Sequence, residues 1–388
     1  MARNTPMLRW ILLVLALFIA AAASLTTVRA PTLGAWKAAV FVGEFGYLVI
    51  FLPIVVAVLA CVLKSAGPVR WVALALAVAA IGFLLKPLVQ ATGIARELPA
   101  TLTQAFGPVK LDRAPLEYGR LLDAPPLPAE NVRTFSYARA GATDELRLDF
   151  HEARRPDGRP VPCVIAIHGG GWDGGERSQL PDLYRWLASR GFAVATIDYR
   201  LAPAHIWPAQ REDVLAALAW LRAHATELGI DGTRLVLFGR SAGGQIAEAV
   251  SYTANDPAIR GVVAFYAPAD LNFAWANSHE GDMLDPLRLL RQLLGGTPET
   301  ARAAFDDASG YRHVTKSSPP TLLVHGALDT LVWHRQSERL ATRLAGQGVS
   351  QALVSLPWAT HAFDFNLDGP GGQLATFALE WFLTAVTK

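Results

Sequence analysis

Cysteine is scarce in this sequence, and neither sign of charge predominates. Two cysteines, Cys61 and Cys163, occur in 388 residues, which is too few for a disulfide framework and fits no zinc-binding spacing. The 35 Lys and Arg residues are nearly balanced by 33 Asp and Glu residues, so the formal net charge of +2 provides no basic surface for nucleic acid. No pair of the nine histidines has helical metal-ligand spacing beside an acid. We therefore expect no metal, no cofactor and no nucleic-acid partner.

Charged residues are also rare in the N-terminal part of the chain, where hydrophobic residues are concentrated. The stretches 10–28 and 45–63 contain no charge, and 71–85 is a third apolar run whose neighbour Lys86 can extend to a membrane interface. The first two are long enough to span a bilayer, and Pro53 is tolerated in a membrane helix. A signal peptide at the first stretch and a hydrophobic cap on a soluble enzyme are the alternatives. We expect residues 1–93 to form a membrane region with about three transmembrane helices, with Glu44 at the end of a span.

The charges between the apolar stretches predict the orientation of this region. One side carries Arg3, Arg9, Lys64 and Arg70, and the other carries Arg29, Lys37 and Arg96. The positive-inside rule places the N-terminus in the cytoplasm by a narrow margin. With three spans the C-terminal domain then lies on the extracytoplasmic side, whereas two or four spans would place it in the cytoplasm. We expect a multi-pass protein of the cell membrane.

From residue 132 to the C-terminus, short β-type runs alternate with helical patterns. Two edge strands are predicted at 134–138 and 146–151, followed by apolar runs typical of strands covered on both faces: 162–167, 192–197, 235–238, 262–266, 321–324 and 351–356. This alternation predicts an α/β fold with a mostly parallel central sheet flanked by helices.

The stretch 272–320 interrupts the alternation of strands and helices. We interpret that stretch as a helical cap that shapes the acyl or alcohol pocket, with a packing insertion as the alternative. Residues 94–131, rich in Pro, Leu and Ala, predict a linker between the two regions.

The motif Gly239-Arg240-Ser241-Ala242-Gly243-Gly244 lies between an apolar strand and a helix. Gly-x-Ser-x-Gly in this position is typical of a nucleophile elbow, a tight turn that exposes its serine at the carboxyl end of a sheet. The two outer glycines of the pentapeptide leave the room that such a turn needs. We predict that Ser241 is a nucleophile, the alternative being a serine that only caps the helix.

A second glycine-rich stretch, His168-Gly169-Gly170-Gly171-Trp172, directly follows the apolar run at 162–167. Acyl transfer needs N–H donors aimed at the oxygen that becomes negative in the tetrahedral intermediate. Successive glycines let backbone amides point into a cavity without obstruction by side chains. We predict an oxyanion hole formed by the amides of Gly170, Gly171 and Ala242, the last being the residue after the serine.

A serine nucleophile needs a base, and the base needs an orienting acid. Asp329 follows the run at 321–324 and His361 follows the last strand, in the chain order Ser, Asp, His that accompanies an elbow serine. We predict Ser241, Asp329 and His361 as the catalytic residues. The main alternative base is His325. Weaker acid candidates, because neither follows a strand at the required place, are Asp282 and Asp364.

These four motifs resemble the hormone-sensitive-lipase-like branch of the α/β-hydrolase superfamily, together with the related acetyl-esterase and prenylcysteine-methylesterase-like group. The resemblance covers roughly residue 168 to the C-terminus. It implies a carboxylic-ester hydrolase with Ser241 as nucleophile, Asp329 as acid and His361 as base. Two departures stand out: Arg240 precedes the serine where the family often has an acid or a histidine, and membrane segments replace the family's soluble N-terminal cap.

The sequence thus predicts a membrane-anchored serine esterase that acts on a small-molecule or lipid-like ester through an acyl-enzyme. Two alternatives remain: an amide or formamide hydrolase with the same triad, and a catalytically idle membrane receptor or scaffold. Because every motif residue lies after residue 167, we also expect a fragment starting near Leu116 to fold and to keep its activity toward a soluble ester.

Overall fold

The computed structural model describes residues 5–63, 67–140, 144–154 and 158–388. Two of the charges used above to predict orientation, Arg3 and Lys64, lie outside these ranges. The N-terminal region contains four long or medium helices, a 3₁₀ helix at Gly46–Leu48 and a short fifth helix. Their bounds are α1 (Thr5–Ser24), α2 (Leu33–Phe45), α3 (Phe51–Val62), α4 (Val69–Phe106) and α5 (Tyr118–Leu122).

The remainder of the chain forms an eight-stranded sheet in the order β1-β2-β4-β3-β5-β6-β7-β8. The first two strands are antiparallel, and the other six run parallel to one another. This confirms the predicted α/β fold and its mostly parallel sheet. The strands are β1 (Val132–Ala140), β2 (Asp144–His151), β3 (Val161–Ile167), β4 (Ala193–Ile197), β5 (Ile230–Arg240), β6 (Ile259–Phe265), β7 (Thr321–Gly326) and β8 (Gln351–Leu356).

Helices cover both faces of the sheet, which explains why its central strands are apolar along almost their whole length. The stretch 272–320 contains most of four short helices. The helices after β3 are α6 (Pro181–Ser189), α7 (Ala209–Ala223), α8 (Ala225–Leu228), α9 (Ala242–Thr253), α10 (Leu271–Ala276), α11 (Pro286–Leu294), α12 (Arg302–Ala308), α13 (Gly310–His313), α14 (Arg335–Gly346) and α15 (Pro370–Val386).

Helix α4 belongs to both halves of the molecule. It has 38 residues, and at about 1.5 Å per residue it is much longer than a bilayer is thick. Its C-terminal half packs on α15 and contributes Ala91, Leu98 and Leu102 to the core on one face of the sheet. Residues 94–131, predicted to be a linker, therefore carry the last turns of α4 and helix α5. A fragment starting near Leu116 would lack this part of the core, which argues against the expectation that it folds unaided.

Among the described residues, two helices, α1 and α4, are long and apolar enough to cross a membrane. Helices α2 and α3, with the 3₁₀ helix between them, count as a third candidate only if the pair is one span bent by 71°. Many apolar side chains, such as Phe18, Val58 and Val78, are more than half exposed on this bundle and give it an apolar outer surface. The length and composition of these helices suit a bilayer. The described residues contain two unbroken candidate spans, whereas the sequence predicted about three.

The packing of the bundle gives the direction of its helices. One apolar cluster joins the first half of α1 with the end of α3 and the start of α4: Leu12, Ala16, Val56, Ala60, Ala73 and Ala77. A second cluster joins the end of α1 with α2 and the middle of α4: Ala20, Ala23, Val42, Ala80 and Leu84. Since α4 continues into the sheet domain, α1 and α4 run toward that domain and α3 runs away from it.

Candidate active site

Ser241 lies on the turn between β5 and α9 and has a strained backbone, with φ 51° and ψ −120°. A Cβ on Gly239 would lie 2.1 Å from the carbonyl oxygen of Gly243, and one on Gly243 would lie 2.2 Å from that of Ile167. Only glycine fits at both positions. The turn is held by the Ser241 amide, which donates to the carbonyl oxygen of Phe265 at 2.9 Å. The structure therefore contains the strand, tight turn and helix of a nucleophile elbow.

The glycine-rich loop after β3 packs directly on this turn. Gly170 has φ 125° and Gly171 φ 62°, conformations that favour glycine. Within the described parts of the chain, the amides of Gly170, Gly171 and Ala242 donate to no protein acceptor. Trp172 fixes the end of the loop by donating from its indole N–H to Oε1 of Gln245 on α9, at 2.8 Å. The three predicted donors thus lie around the turn that carries the serine.

Asp329 and His361 are brought together from loops after β7 and β8. The distance between His361 Nδ1 and Asp329 Oδ2 is 2.7 Å. The other carboxylate oxygen, Oδ1, accepts the backbone amides of Leu331 and Val332 at 2.8 and 2.9 Å. Ser241 and His361 line one cavity, although no hydrogen bond joins their side chains within the described ranges. Catalytic hydrogen bonds are often long before substrate binds.

His325, the alternative base, has a different position. It is fully buried at the end of β7, with Nε2 3.2 Å from Asp329 Oδ2 and Nδ1 2.7 Å from the Ser337 hydroxyl. It lines neither cavity next to Ser241. His325 therefore contacts the acid from behind. The sequence analysis expected His325 to lie beside the acid, but it did not predict that His325 and His361 both contact the Asp329 carboxylate.

The electrostatic environment keeps Asp329 ionised. Burial by itself raises the pKa of a carboxyl group, but the electrostatic interaction with His361 and hydrogen bonds from His325 and His361 lower the pKa of Asp329. The net effect holds the pKa of Asp329 below its ordinary range. The carboxylate is therefore available as a permanent acceptor for the Nδ1 proton of His361.

Arg240, the residue that departs from the family pattern, belongs to a buried polar cluster next to the site. Its guanidinium is buried, with Nε donating to Asp364 and Nη1 to the hydroxyl of Tyr184 at 2.8 Å. Tyr266 also donates to Asp364. Asp364, a weaker acid candidate in the sequence, is therefore engaged in this buried cluster and does not contact His361 in the part of the chain that the structure describes.

Two cavities meet at Ser241. The first, of about 350 Å³, lies under α10 and α11 and includes Phe273, Ala274, Met283, Leu289 and Leu290 among its lining residues. The second, of about 690 Å³, is lined by His361, Gly170, Tyr266, Leu331 and Phe365, among others. Both volumes fall in the range of small-molecule sites. Within the described residues, no group of three or more His, Cys, Asp or Glu side chains could hold a metal ion.

The N-terminal region also reaches the site, which the sequence analysis did not predict. Ala30 and Pro31, between α1 and α2, line the first cavity, and Trp36 of α2 lines the second. Glu44, interpreted above as a charge at the end of a span, is 1% exposed and contacts the sheet domain. A lone acid in an apolar stretch was the available signal, because such a residue is costly unless it is paired.

Comparisons with known proteins agree with this architecture. The BD-FAE family model matches residues 148–344. Esterase LipC of Mycobacterium tuberculosis is 32% identical over 256 residues, covering 62% of each protein. The probable carboxylic ester hydrolase LipM of the same organism is 32% identical over 271 residues, covering 65% of this chain and 60% of LipM. Esterase LipQ, also from that organism, is 30% identical over 301 residues, and the match covers 69% of each protein. The chain thus spans less than two thirds of the length of LipC and LipM.

Solved structures give the same fold. Carboxyl esterase 2 of Tuber melanosporum superposes with a TM-score of 0.55 at 25% identity, covering 67% of this chain and 88% of that one. Esterase LipW of Mycobacterium marinum gives a TM-score of 0.54 at 24% identity, covering 78% and 90%. The sheet order and the serine on the turn after β5 define an α/β-hydrolase. Within that class, the chain belongs to the BD-FAE family of esterase-related α/β-hydrolases.

Proposed function

We propose that this protein is a membrane-anchored serine hydrolase that cleaves carboxylic esters through an acyl-enzyme. The observation that carries the proposal is the 2.7 Å contact between His361 and Asp329, beside the cavity that also exposes Ser241 on its strained turn. The names of the esterase relatives support the same reaction. Ser241 is the nucleophile, His361 the general base and Asp329 the acid that orients it.

Each half-reaction moves one proton through His361. The imidazole takes the hydroxyl proton of Ser241 as Oγ bonds to the ester carbonyl carbon, and the amides of Gly170, Gly171 and Ala242 donate to the oxyanion. His361 then passes the proton to the leaving alcohol as the C–O bond breaks. Water, deprotonated by His361, attacks the acyl-enzyme in the same way and releases the acid and Ser241. The residues need no metal or cofactor for these steps.

The two cavities hold the two halves of the ester. The leaving oxygen must lie next to His361 to receive its proton, so the alcohol occupies the cavity that His361 lines. The acyl group then extends into the cavity under α10 and α11. On this basis the segment 272–320 is a cap that shapes the acyl pocket.

The membrane part of the proposal rests on the apolar bundle. Helices α1 and α4 cross the bilayer, and α2 and α3 form a bent return between them. The catalytic domain and the N-terminus then lie on opposite sides, and Arg9 and Arg70 lie near the N-terminal side. The positive-inside rule makes that side cytoplasmic, so the catalytic domain is extracytoplasmic. Its substrate is a small or lipid-like ester.

A probe of the serine tests the reaction. A fluorophosphonate should label the wild-type protein, and Ser241→Ala should abolish labelling and lower ester turnover by several orders of magnitude, leaving binding and oxyanion effects only. Turnover should be measured in parallel with esters and with the matching amides. Equal labelling of both proteins would contradict the assignment of the nucleophile, and faster turnover of amides would contradict the ester preference.

A further inference from the structure

Helix α2 of the membrane region contacts the loop that carries His361. The indole N–H of Trp36 donates to the backbone carbonyl oxygen of His361 at 3.2 Å. This bond joins residues 325 positions apart in the chain. It reaches the main chain of the very residue that the proposed mechanism uses as its base.

Glu44, at the other end of α2, holds both ends of the same loop. Its Oε1 accepts the indole N–H of Trp358 at 3.3 Å, and its Oε2 accepts the backbone amide of Gly371 at 2.8 Å. Its backbone oxygen accepts the side-chain amide of Asn366 at 3.0 Å. Since both Glu44 and Trp358 are 1% exposed, these bonds are shielded from water.

The loop is built to receive this carboxylate. A Cβ on Gly369 or Gly371 would come within 2.5 or 2.6 Å of the Glu44 carboxylate oxygens. Any larger residue at either position would displace the acid or the loop. Glycine at these positions and the acid on α2 are therefore matched to each other, across the boundary between the two regions.

The loop needs such contacts because it has little regular structure of its own. It runs from the end of β8 at Leu356 to the start of α15 at Pro370, with one 3₁₀ helix at Phe363–Phe365. Ala362, directly after the histidine, has a left-handed backbone with φ 64°. From the sheet domain, Asp329 holds the imidazole, and Arg240 and Tyr266 hold Asp364. The main chain of His361 itself is held by Trp36.

We propose that helix α2 is a positioning element of the active site, in which Trp36 and Glu44 fix the loop so that the imidazole of His361 faces Ser241. This rests on the proposed function of His361. Neither side chain performs a chemical step; both act through the histidine. The N-terminal region is then required for turnover even of water-soluble esters, a role separate from anchoring.

The test uses full-length protein in detergent with a short, water-soluble acyl ester. Trp36→Phe removes the N–H donor, and Glu44→Gln replaces one of the two accepting oxygens by an N–H₂ group. Because small displacements of a reacting group can cost up to about 100-fold in rate, we expect kcat to fall by about 10- to 100-fold in each variant. KM should change by less than about threefold for Glu44→Gln, which lies outside both cavities. The matched control is Trp71→Phe on α4, whose indole is 58% exposed and which should retain wild-type kcat.

A double-mutant cycle separates positioning from a general loss of structure. In a His361→Ala background the base is absent, so Trp36→Phe and Glu44→Gln should cause no further loss of the residual rate. An equal loss in both backgrounds, or full kcat in both single variants, would overturn the proposal. A lower thermal midpoint alone would not support it. If instead His361→Ala or Ser241→Ala retains activity, the proposed function itself fails, which is a distinguishable result.

Discussion

At the scale of single residues, the site combines strain with charge. Ser241 adopts a backbone conformation that costs energy, and only glycine fits at positions 239 and 243 on either side of it. Asp329 is fully buried yet ionised, because two histidines and two backbone amides surround it. Such a carboxylate can orient an imidazole and stabilise its positive charge without taking its proton.

The acid provides a direct prediction. Asp329→Asn keeps the shape of the side chain but removes its charge, so His361 loses the acceptor that selects its tautomer. We expect kcat for a soluble ester to fall by about 10⁴-fold, as in comparable triads, with labelling by a fluorophosphonate slowed in parallel. Because the pKa of Asp329 is held low, its protonation should not contribute to the loss of wild-type activity between pH 8 and 5. A variant with near-normal kcat would show that another acid serves His361.

Residue patterns in the sequence indicated which residues would lie near one another at this site. The elbow, the glycine loop, the acid and the histidine each follow a strand, so the order of a parallel sheet brings them to one edge. The partners of Glu44 and Trp36 were not predictable in this way. Their contacts join positions more than 300 residues apart through packing between regions, and no local pattern encodes that distance.

At the scale of elements, the short helices α10 and α11 line the cavity that we propose for the acyl group. Ala274 on α10 faces the proposed acyl cavity and is partly buried, whereas Ala276 on the same helix is exposed and lines neither cavity at Ser241. The two positions therefore offer the same substitution inside and outside the pocket. The sequence predicted a helical cap here but left its contact with substrate open.

Substitutions at Ala274 and Ala276 test which cavity holds the acyl group and which holds the alcohol. Ala274→Phe should fill part of the cavity and lower kcat/KM for butyrate and longer acyl esters by about tenfold or more relative to acetate, since misfit of one methylene already costs about 1–3 kcal/mol. Ala276→Phe should leave the acyl-length profile unchanged. A series of acetate esters with longer alcohols provides the comparison. If Ala274→Phe discriminates by alcohol length instead, the two pockets are assigned the wrong way round.

At the scale of the whole molecule, the bundle and the sheet domain share one continuous helix and one active-site wall. Helix α4 passes from the bundle into the core that α15 completes, and residues 30–36 border both cavities. The composition of the first ninety residues indicated membrane helices, but it could not show that α2 packs on the catalytic loop. An apolar helix has the same composition whether it faces lipid or a neighbouring protein surface.

The direction of the helices in the bundle predicts the topology. In the proposed membrane arrangement α1 and α4 run toward the catalytic domain and α3 runs away from it, so the chain crosses the bilayer an odd number of times before the domain begins. The N-terminus and the turn before α4 then share one side with Arg9 and Arg70, and the positive-inside rule makes this side cytoplasmic.

Alkaline phosphatase fused after Lys388 should therefore be active in a bacterial host, and a green fluorescent protein fused there through the same translocation route should be dark. The same two reporters inserted after Gly67, in the turn before α4, should give the opposite pair of signals. An active phosphatase after Gly67 together with a fluorescent fusion after Lys388 would mean that the bent α2–α3 pair does not cross, and that the catalytic domain faces the cytoplasm.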